Sequence, residues 1–394
     1  MNDASPPKPL PRNVKLLGWA SCLNDVASEM IFPLLPQFLI TVLGGNRFQL
    51  GVIEGVADSV ASLLKLGSGA WSDRLQRRKG LVVAGYSLAA IIRPLIGLMT
   101  APWQLFFART GDRIGKGIRT APRDALIADS TNPEHRGRAF GFHRAMDHLG
   151  AAVGPILATA FLWFWPDQLR TMFLLTVLPG LAVVGLLVFK LQEIPKTATD
   201  GIPFQITLKP FDANFRIFLL GLVIFTLGNS SDAFLLVRAG ELGVPTALLP
   251  MLWFLFHVVK STGNLYAGKL VDRIGPRLPL FAGWLLYAAV YIAFALATAA
   301  WHVWLLFVLY GLFYALTEPA EKTLVANLVG PERRGLAFGW FNFAIGISAL
   351  PSSLIFGALY EWYGPVAAFG WGAGLCALAV VILLGVKAPS SVTF

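Results

Sequence analysis

The nine residues PEHRGRAFG at Pro133–Gly141 return as PERRGLAFG at Pro331–Gly339, an offset of 198 (133 to 331). GAWSDRLQRR at Gly69–Arg78 returns as GKLVDRIGPR at Gly268–Arg277, an offset of 199 (69 to 268). LIAD at Leu126–Asp129 returns as LVAN at Leu324–Asn327. The spacing is close to half of the 394 residues, so the second half repeats the first in the same order. Two parallel repeats in an apolar chain predict two homologous bundles able to rock about a site between them.

Hydrophobic residues make up 56% of the chain and charged residues 14%, which assigns it to the bilayer. Twelve apolar runs of about 20 residues, the span of a helix across the hydrocarbon, cover 15–40, 49–70, 80–100, 103–127, 138–164, 171–189, 215–238, 247–267, 279–299, 302–326, 335–360 and 365–386. None alternates as a β-barrel strand does. The expectation is an all-α membrane protein of 12 transmembrane helices in two pseudo-symmetric six-helix bundles, residues 1–189 and 215–394, with a polar cytoplasmic linker at 190–214.

The net charge of +10 does not call for nucleic acid. With the N-terminus inside, the cytoplasmic segments hold 19 Lys and Arg, and the outer loops hold Arg47, Arg170 and Arg238. That asymmetry predicts a multi-pass protein of a bacterial inner membrane with both termini cytoplasmic. The first span is expected to act as an uncleaved signal. Cys22 and Cys376 lie in spans, where small apolar packing is the expected role. With only five histidines and no His-rich tail, neither metal nor cofactor is expected.

Charge inside a bilayer costs about 2.5–3.5 kcal/mol per group on insertion scales and so must face protein or water. Spans six, nine and twelve carry none, and span three only Arg93. Every third span is therefore expected to be lipid-facing scaffold. Asp25 and Glu29 share one face of span one near mid-membrane, one turn apart, and Pro33 and Pro36 follow. They are expected either to meet water on a kinked helix or to pair with Arg113 or Lys116. Glu54, Asp58, Ser62 and Lys65 form a polar stripe on span two, with Lys65 pairing across helices. His143, Arg144, Asp147 and His148 crowd one turn and a half of span five, either handling protons or forming an internal ion pair.

GAWSDRLQRRKG at Gly69–Gly80 resembles the loop motif G-x-L-x-D-R-x-G-R-K of the major facilitator superfamily, and the second copy supplies the missing Leu270 and Gly275. The resemblance implies a cytoplasmic gate built from Gly69, Asp73, Arg74, Arg77, Arg136, Asp272, Arg273 and Arg334. RTGDRIGKG at Arg109–Gly117 resembles the superfamily's fourth-helix motif, which implies that Arg109 assists proton transfer; Arg113 and Lys116 are extra charges. Gly141, Gly150, Gly154 and Pro155 resemble the fifth-helix signature of the antiporter branch, with Ala158 and Thr159 in place of its last glycines.

Together these imply a proton-coupled exporter of small organic, amphiphilic compounds, working as a monomer by alternating access. The expected proton-coupling residues are Asp25, Glu29, Arg109, Asp112, Arg113, Asp147 and His148. The expected substrate contacts are Asp25, Glu29, Glu54, Asp58, Arg144, Asp232, Trp253, His257, Tyr310, Tyr314, Trp340, Phe341 and Asn342. The alternatives are a proton-coupled importer or facilitator of a small polar solute, or a metal or siderophore permease, since the run Asp112–Ser130 resembles permeases of that kind. No H-E-x-x-H motif and no Ser/His arrangement suggests an enzyme.

Overall fold

A computed structural model describes residues 10–75, 78–131, 136–194, 208–209, 211–329 and 334–386. Among them the backbone forms helices and connecting turns only. Each helix satisfies its own backbone hydrogen bonds, as lipid demands. In chain order they are α1 (Arg12–Val42), α2 (Arg47–Leu75), α3 (Lys79–Leu98), α4 (Pro102–Asp129), α5 (Arg136–Phe164), α6 (Leu169–Lys190), α7 (Ala213–Glu241), α8 (Leu249–Ile274), α9 (Arg277–Leu296) and α10 (Ala300–Asn327). A final segment, Arg334–Leu384, is broken at Gly364, whose φ of 84° no helix accommodates, into α11 and α12.

Among the described residues eight helical segments are long and apolar enough to cross a membrane, the last of them holding both α11 and α12. The remaining spans, α2, α4 and α8, fall short because polar side chains interrupt them: Glu54, Asp58 and Lys65 in α2, a run of Arg and Lys in α4, and His257, Lys260 and Asn264 in α8. These three helices also line the central cavity.

The duplication is visible atom by atom. Gln104 Oε1 accepts from the backbone N–H groups of Thr100 (2.7 Å) and Ala101 (3.1 Å), closing the start of α4. His302 Nδ1, 198 residues later, does the same for Thr298 (3.2 Å) and Ala299 (3.3 Å) at the start of α10. Orphan donors at a helix N-terminus need such acceptors. Gly85 in α3 packs against the Gly115 carbonyl of α4, and its repeat mate Gly283 in α9 packs against Thr317 of α10.

Within the first half α1 packs on α5, α4 packs on α2 and α3, and α6 covers α1 and α3. In the second half α8 packs on α10, and the α11–α12 segment packs on α7 and α9. The halves meet along α2–α11 and α5–α8. Small residues allow the first of these approaches: a Cβ on Gly51 would lie 2.2 Å from the Ser353 carbonyl oxygen, and one on Gly357 2.8 Å from that of Arg47.

At the end remote from the start of α1, the distal end, Arg47 ties the halves together. Its guanidinium donates to Glu241 Oε1 at 2.6 and 3.0 Å and lies 3.6 Å from Glu361. Phe48 stacks on Trp362 beside it. Contacts between the halves continue to mid-depth, where Ser59 Oγ donates to the Gly346 carbonyl at 2.9 Å. Beyond that point Leu63, Lys65, Tyr266 and Leu270 are exposed. The cavity between the halves therefore opens toward the end where α1 begins.

That terminal end of the first half has its own fastening. Glu193, just after α6, accepts from the backbone N–H of Arg78 (2.9 Å) and Lys79 (3.0 Å) at the N-terminus of α3. An anion there is favoured by the helix dipole. The Arg78 side chain pairs with Asp129, and Asn13 and Gln192 exchange hydrogen bonds at 3.0 and 3.2 Å.

Candidate functional site

A cavity of about 440 Å³ lies between the halves, lined from α1, α2, α3, α4, α7, α8, α10 and α11. Asp25 and Glu29 reach it from α1. The glycines of the α5 signature decide how closely α5 approaches this face. A Cβ on Gly150 would fall 2.3 Å from the Cys22 carbonyl oxygen and 2.9 Å from Asp25 Cβ; one on Gly154 would fall 2.7 Å from the Val26 carbonyl oxygen and 3.0 Å from Glu29 Cβ. After Glu29 the helix tightens into a 3₁₀ turn at Phe32–Leu34 and widens into a π segment at Phe38–Val42. Pro33 and Pro36 withhold the donors that a regular helix needs there.

Among the described residues neither acid takes a cation within ion-pair distance, although pairing with Arg113 or Lys116 was one expectation. Asp25 accepts from Asn24 Nδ2 at 2.9 Å. Glu29 Oε2 accepts from Trp253 Nε1 of α8, across the gap between the halves, at 2.6 Å. Phe32 packs on the same indole with ring centroids 4.9 Å apart.

Three arginines of α3 and α4, Arg93, Arg109 and Arg113, face carboxylates. Arg109 holds Glu54 with two hydrogen bonds, 2.7 and 2.9 Å, and both side chains are almost fully buried. Arg93 donates to Asp112 (2.9 Å) and to the carbonyl and side-chain oxygens of Asn24 (2.8 and 3.0 Å). Arg109 lies 3.7 Å from Asp112, which joins the two pairs into one chain. Arg113 Nε lies 3.4 Å from Asp58. Buried pairs of this kind hold helices in register, and losing one partner leaves a charge stranded. Arg93 shows that α3 is more than the lipid-facing scaffold expected of it.

In the second half α7 breaks between Gly228 and Ala233, and residues Asn229, Ser230, Ser231 and Asp232 turn toward the cavity. Asp232 Oδ1 accepts from Tyr310 at 2.6 Å and Tyr314 at 3.4 Å. Lys260 lies over the Tyr314 ring at 4.4 Å and 3.6 Å from Glu318. His257 lines the cavity with Nε2 buried and unpartnered. A second cavity of about 260 Å³ adjoins the first, sharing Thr226, Asn229, Tyr314 and Ile345, and adds Phe313 and Phe341.

The structure brings Asp25, Glu29, Glu54, Asp58, Arg113, Asp232, Trp253, His257 and Tyr314 to the main cavity, and Phe341 to the second. Other expected contacts fall elsewhere. Arg109 and Asp112 sit behind the wall, fixed in the ion-pair chain. Asp147 is held within α5 by His143 (3.5 Å) and Arg144 (3.6 Å), because residues three and four apart share a helix face; Arg144 itself is exposed. His148 faces Ser261 of α8 at 3.4 Å. Tyr310 is fully buried and reaches the cavity only through Asp232. Trp340 packs on Phe343, and Asn342 donates to the Phe338 carbonyl of its own helix. Lys65, expected to pair across helices, lines the cavity, while Asp58 faces Arg113.

Of the expected gate, Asp272 and Arg273 are exposed at the end of α8. Gly69, Asp73, Arg74, Arg77, Arg136 and Arg334 lie outside the residues described at side-chain level. Sequence reasoning passed over Lys116, Arg119, Arg93 and the Asn229–Ser231 break as site residues. The polar run Asn229–Asp232 inside an apolar span was the available signal for the break.

Twelve helices among the described residues, in two repeated halves enclosing a polar cavity, are the form of a membrane transporter. The sequence profile of the Major Facilitator Superfamily matches residues 17–258 and 217–394, and the chain belongs to that superfamily. It is a multi-pass membrane transport protein for small molecules rather than an enzyme. It is 34% identical over 381 residues to an uncharacterized MFS-type transporter of Methanocaldococcus jannaschii, covering 95% of each chain. It is 24% identical to the multidrug resistance protein MdtH of Salmonella arizonae, over 81% of this chain and 78% of that one. A crystal structure of the nucleoside transporter NupG superposes with a TM-score of 0.76 at 13% identity, covering 95% of this chain and 98% of the other. That likeness concerns the fold.

Proposed function

We propose that the protein is a proton-coupled exporter of small organic compounds that works by alternating access. The bond between Glu29 and Trp253 carries this reading: a cavity carboxylate with no cation within ion-pair distance among the described residues joins the two halves. An ionised carboxylate accepts an N–H bond strongly and a neutral acid weakly. Protonation of Glu29 therefore loosens α1 from α8, and deprotonation draws them together. Asp25, one turn away on the same face, is the second proton site.

The moving bodies are residues 1–189 and 215–394, joined by 190–214, and the protein works as a monomer. With both termini in the cytoplasm of a bacterial cell, the cavity is open inward and Arg47 closes the outer side. Export is favoured by the Gly150, Gly154 and Pro155 signature against Asp25 and Glu29, and by the name multidrug resistance protein carried by the MdtH relatives. The test is flux in proteoliposomes under an imposed pH gradient. Substrate moving opposite to the protons supports export; movement with them, or flux indifferent to the gradient, refutes it.

A further inference from the structure

We infer that the cavity recognises its substrate through an anionic group, a carboxylate or a phosphate, bound by Lys65, Lys116 and Arg119. The assignment deepens the reading above, since it takes the same cavity as the transport site.

The cavity's carboxylates each have a partner. Arg109 holds Glu54, Arg113 faces Asp58, two tyrosine hydroxyls hold Asp232, Trp253 holds Glu29 and Asn24 holds Asp25. Its cations do not balance in the same way. Arg93 and Arg113 have carboxylates, but among the described residues Lys65, Lys116 and Arg119 have none within ion-pair distance. Arg119 is 4% exposed, and its Nε and Nη1 atoms are buried without a hydrogen-bond partner. Its guanidinium is pressed on the Tyr86 ring at 4.4 Å, which fixes the plane and leaves the edge donors to a ligand.

The three cations sit together: Arg113, Lys65 and Arg119 act on Lys116 as like charges, and Asp25 and Glu29 are the opposing carboxylates. Among the described residues neither carboxylate comes within ion-pair distance of Lys65, Lys116 or Arg119, and Arg119 Nε and Nη1 keep no acceptor. Buried guanidinium donors without acceptors are a standing deficit that a bound oxyanion removes. Counting from the helix ends at 1.5 Å per residue, Lys65 in α2 and Lys116 and Arg119 in α4 lie about 15–20 Å from the terminal end. They are nearer the open mouth than Glu29 and Asp232, so an entering solute meets them first.

Calorimetric titration of the full-length protein in phosphatidylcholine nanodiscs, without any pH gradient, tests this. The probes share one aromatic body: 1-naphthoate and 1-naphthyl phosphate as anions, 1-naphthamide as neutral and 1-naphthylmethylamine as cation. Both anions should bind about tenfold or more tighter than the amide and the amine. Lys116→Gln and Arg119→Gln should each weaken anion binding about tenfold and leave amide binding unchanged. The melting temperature of each unliganded variant should hold or rise, since a repelled cation has gone. A fall in that temperature with unchanged anion affinity would make the cations structural and overturn the assignment. Equal or tighter binding of the amine, or binding of neither anion, would overturn it as well. Anion binding abolished by adding phosphatidylglycerol to the disc would assign the corner to lipid headgroups instead of a soluble substrate. Because no gradient is present, failure of proton coupling leaves this measurement untouched.

Discussion

Glu29 and Trp253 stand 224 residues apart in the chain, yet the indole N–H of one donates to the carboxylate of the other at 2.6 Å. The bond spans the cavity and belongs to both halves of the duplication. No other carboxylate of the main cavity makes a described side-chain hydrogen bond to the opposite half.

Glu29→Gln removes the charge and keeps the shape. A hydrogen bond to a charged group is worth about 1.5–3 kcal/mol, so gradient-driven transport should fall about ten- to a hundredfold while the protein stays in the membrane. Flux in proteoliposomes with and without a pH gradient reads the effect. Normal gradient-driven transport by both this variant and Asp25→Asn would remove these acids from the coupling mechanism.

Trp253→Phe keeps a six-membered aromatic ring beside Phe32 and loses the indole N–H donor with its pyrrole ring. In the parent protein, tryptophan emission should shift as pH falls and the acid becomes a poorer acceptor. That shift should vanish in Glu29→Gln, and a shift that persists there would come from another group.

Arg109 and Glu54 should behave as a structural pair. Arg109→Met strands a buried carboxylate and should destabilise by about 3–5 kcal/mol. Combining it with Glu54→Leu should restore most of the loss, because the pair is then replaced by apolar volume. Thermal melting of the single and double variants checks this; a double variant as unstable as the single one would contradict it.

Gly154→Ala places a methyl group 2.7 Å from the Val26 carbonyl oxygen and should push α1 from α5, at about 1–3 kcal/mol. Gly185→Ala has nothing within 4 Å and should be neutral or slightly stabilising. Melting temperatures of the two variants should therefore move apart, and equal values would deny the crossing its role.

Arg47→Gln removes the side-chain tie to Glu241 and Glu361 and keeps the backbone N–H bond to Glu361 at 3.0 Å. These groups are about a quarter to a third exposed, so the loss is about 1 kcal/mol, roughly a fivefold shift between closed and open distal ends. Spin labels at positions 48 and 362 should report a longer second distance in the variant. An unchanged distribution would place the closure in the glycine contacts of α2 and α11.

Hydropathy and repetition alone determine that this chain is a duplicated bundle of membrane helices. Those signals are local, or they compare a segment with its own copy, and lipid leaves the backbone little choice but the helix. That Asp25, Glu29, Asp58 and Asp232 would face a polar cavity was legible because buried charge is rare in a span, and Trp253 was expected there as an aromatic of an inner span. Which charge meets which was not legible. A helix turns its side chains by about 100° per residue, so Asp112 could face Arg93, Arg109 or the cavity on sequence grounds, and only packing against α3 gives it to Arg93. By the same packing Arg109 was removed from the cavity and Asp147 tied to its own helix, while among the described residues no acid comes within ion-pair distance of Lys116 or Arg119. Partner choice depends on the rotation and approach of separate helices, set here by small residues such as Gly85, Gly115 and Gly150, and that information exists only once the chain has folded.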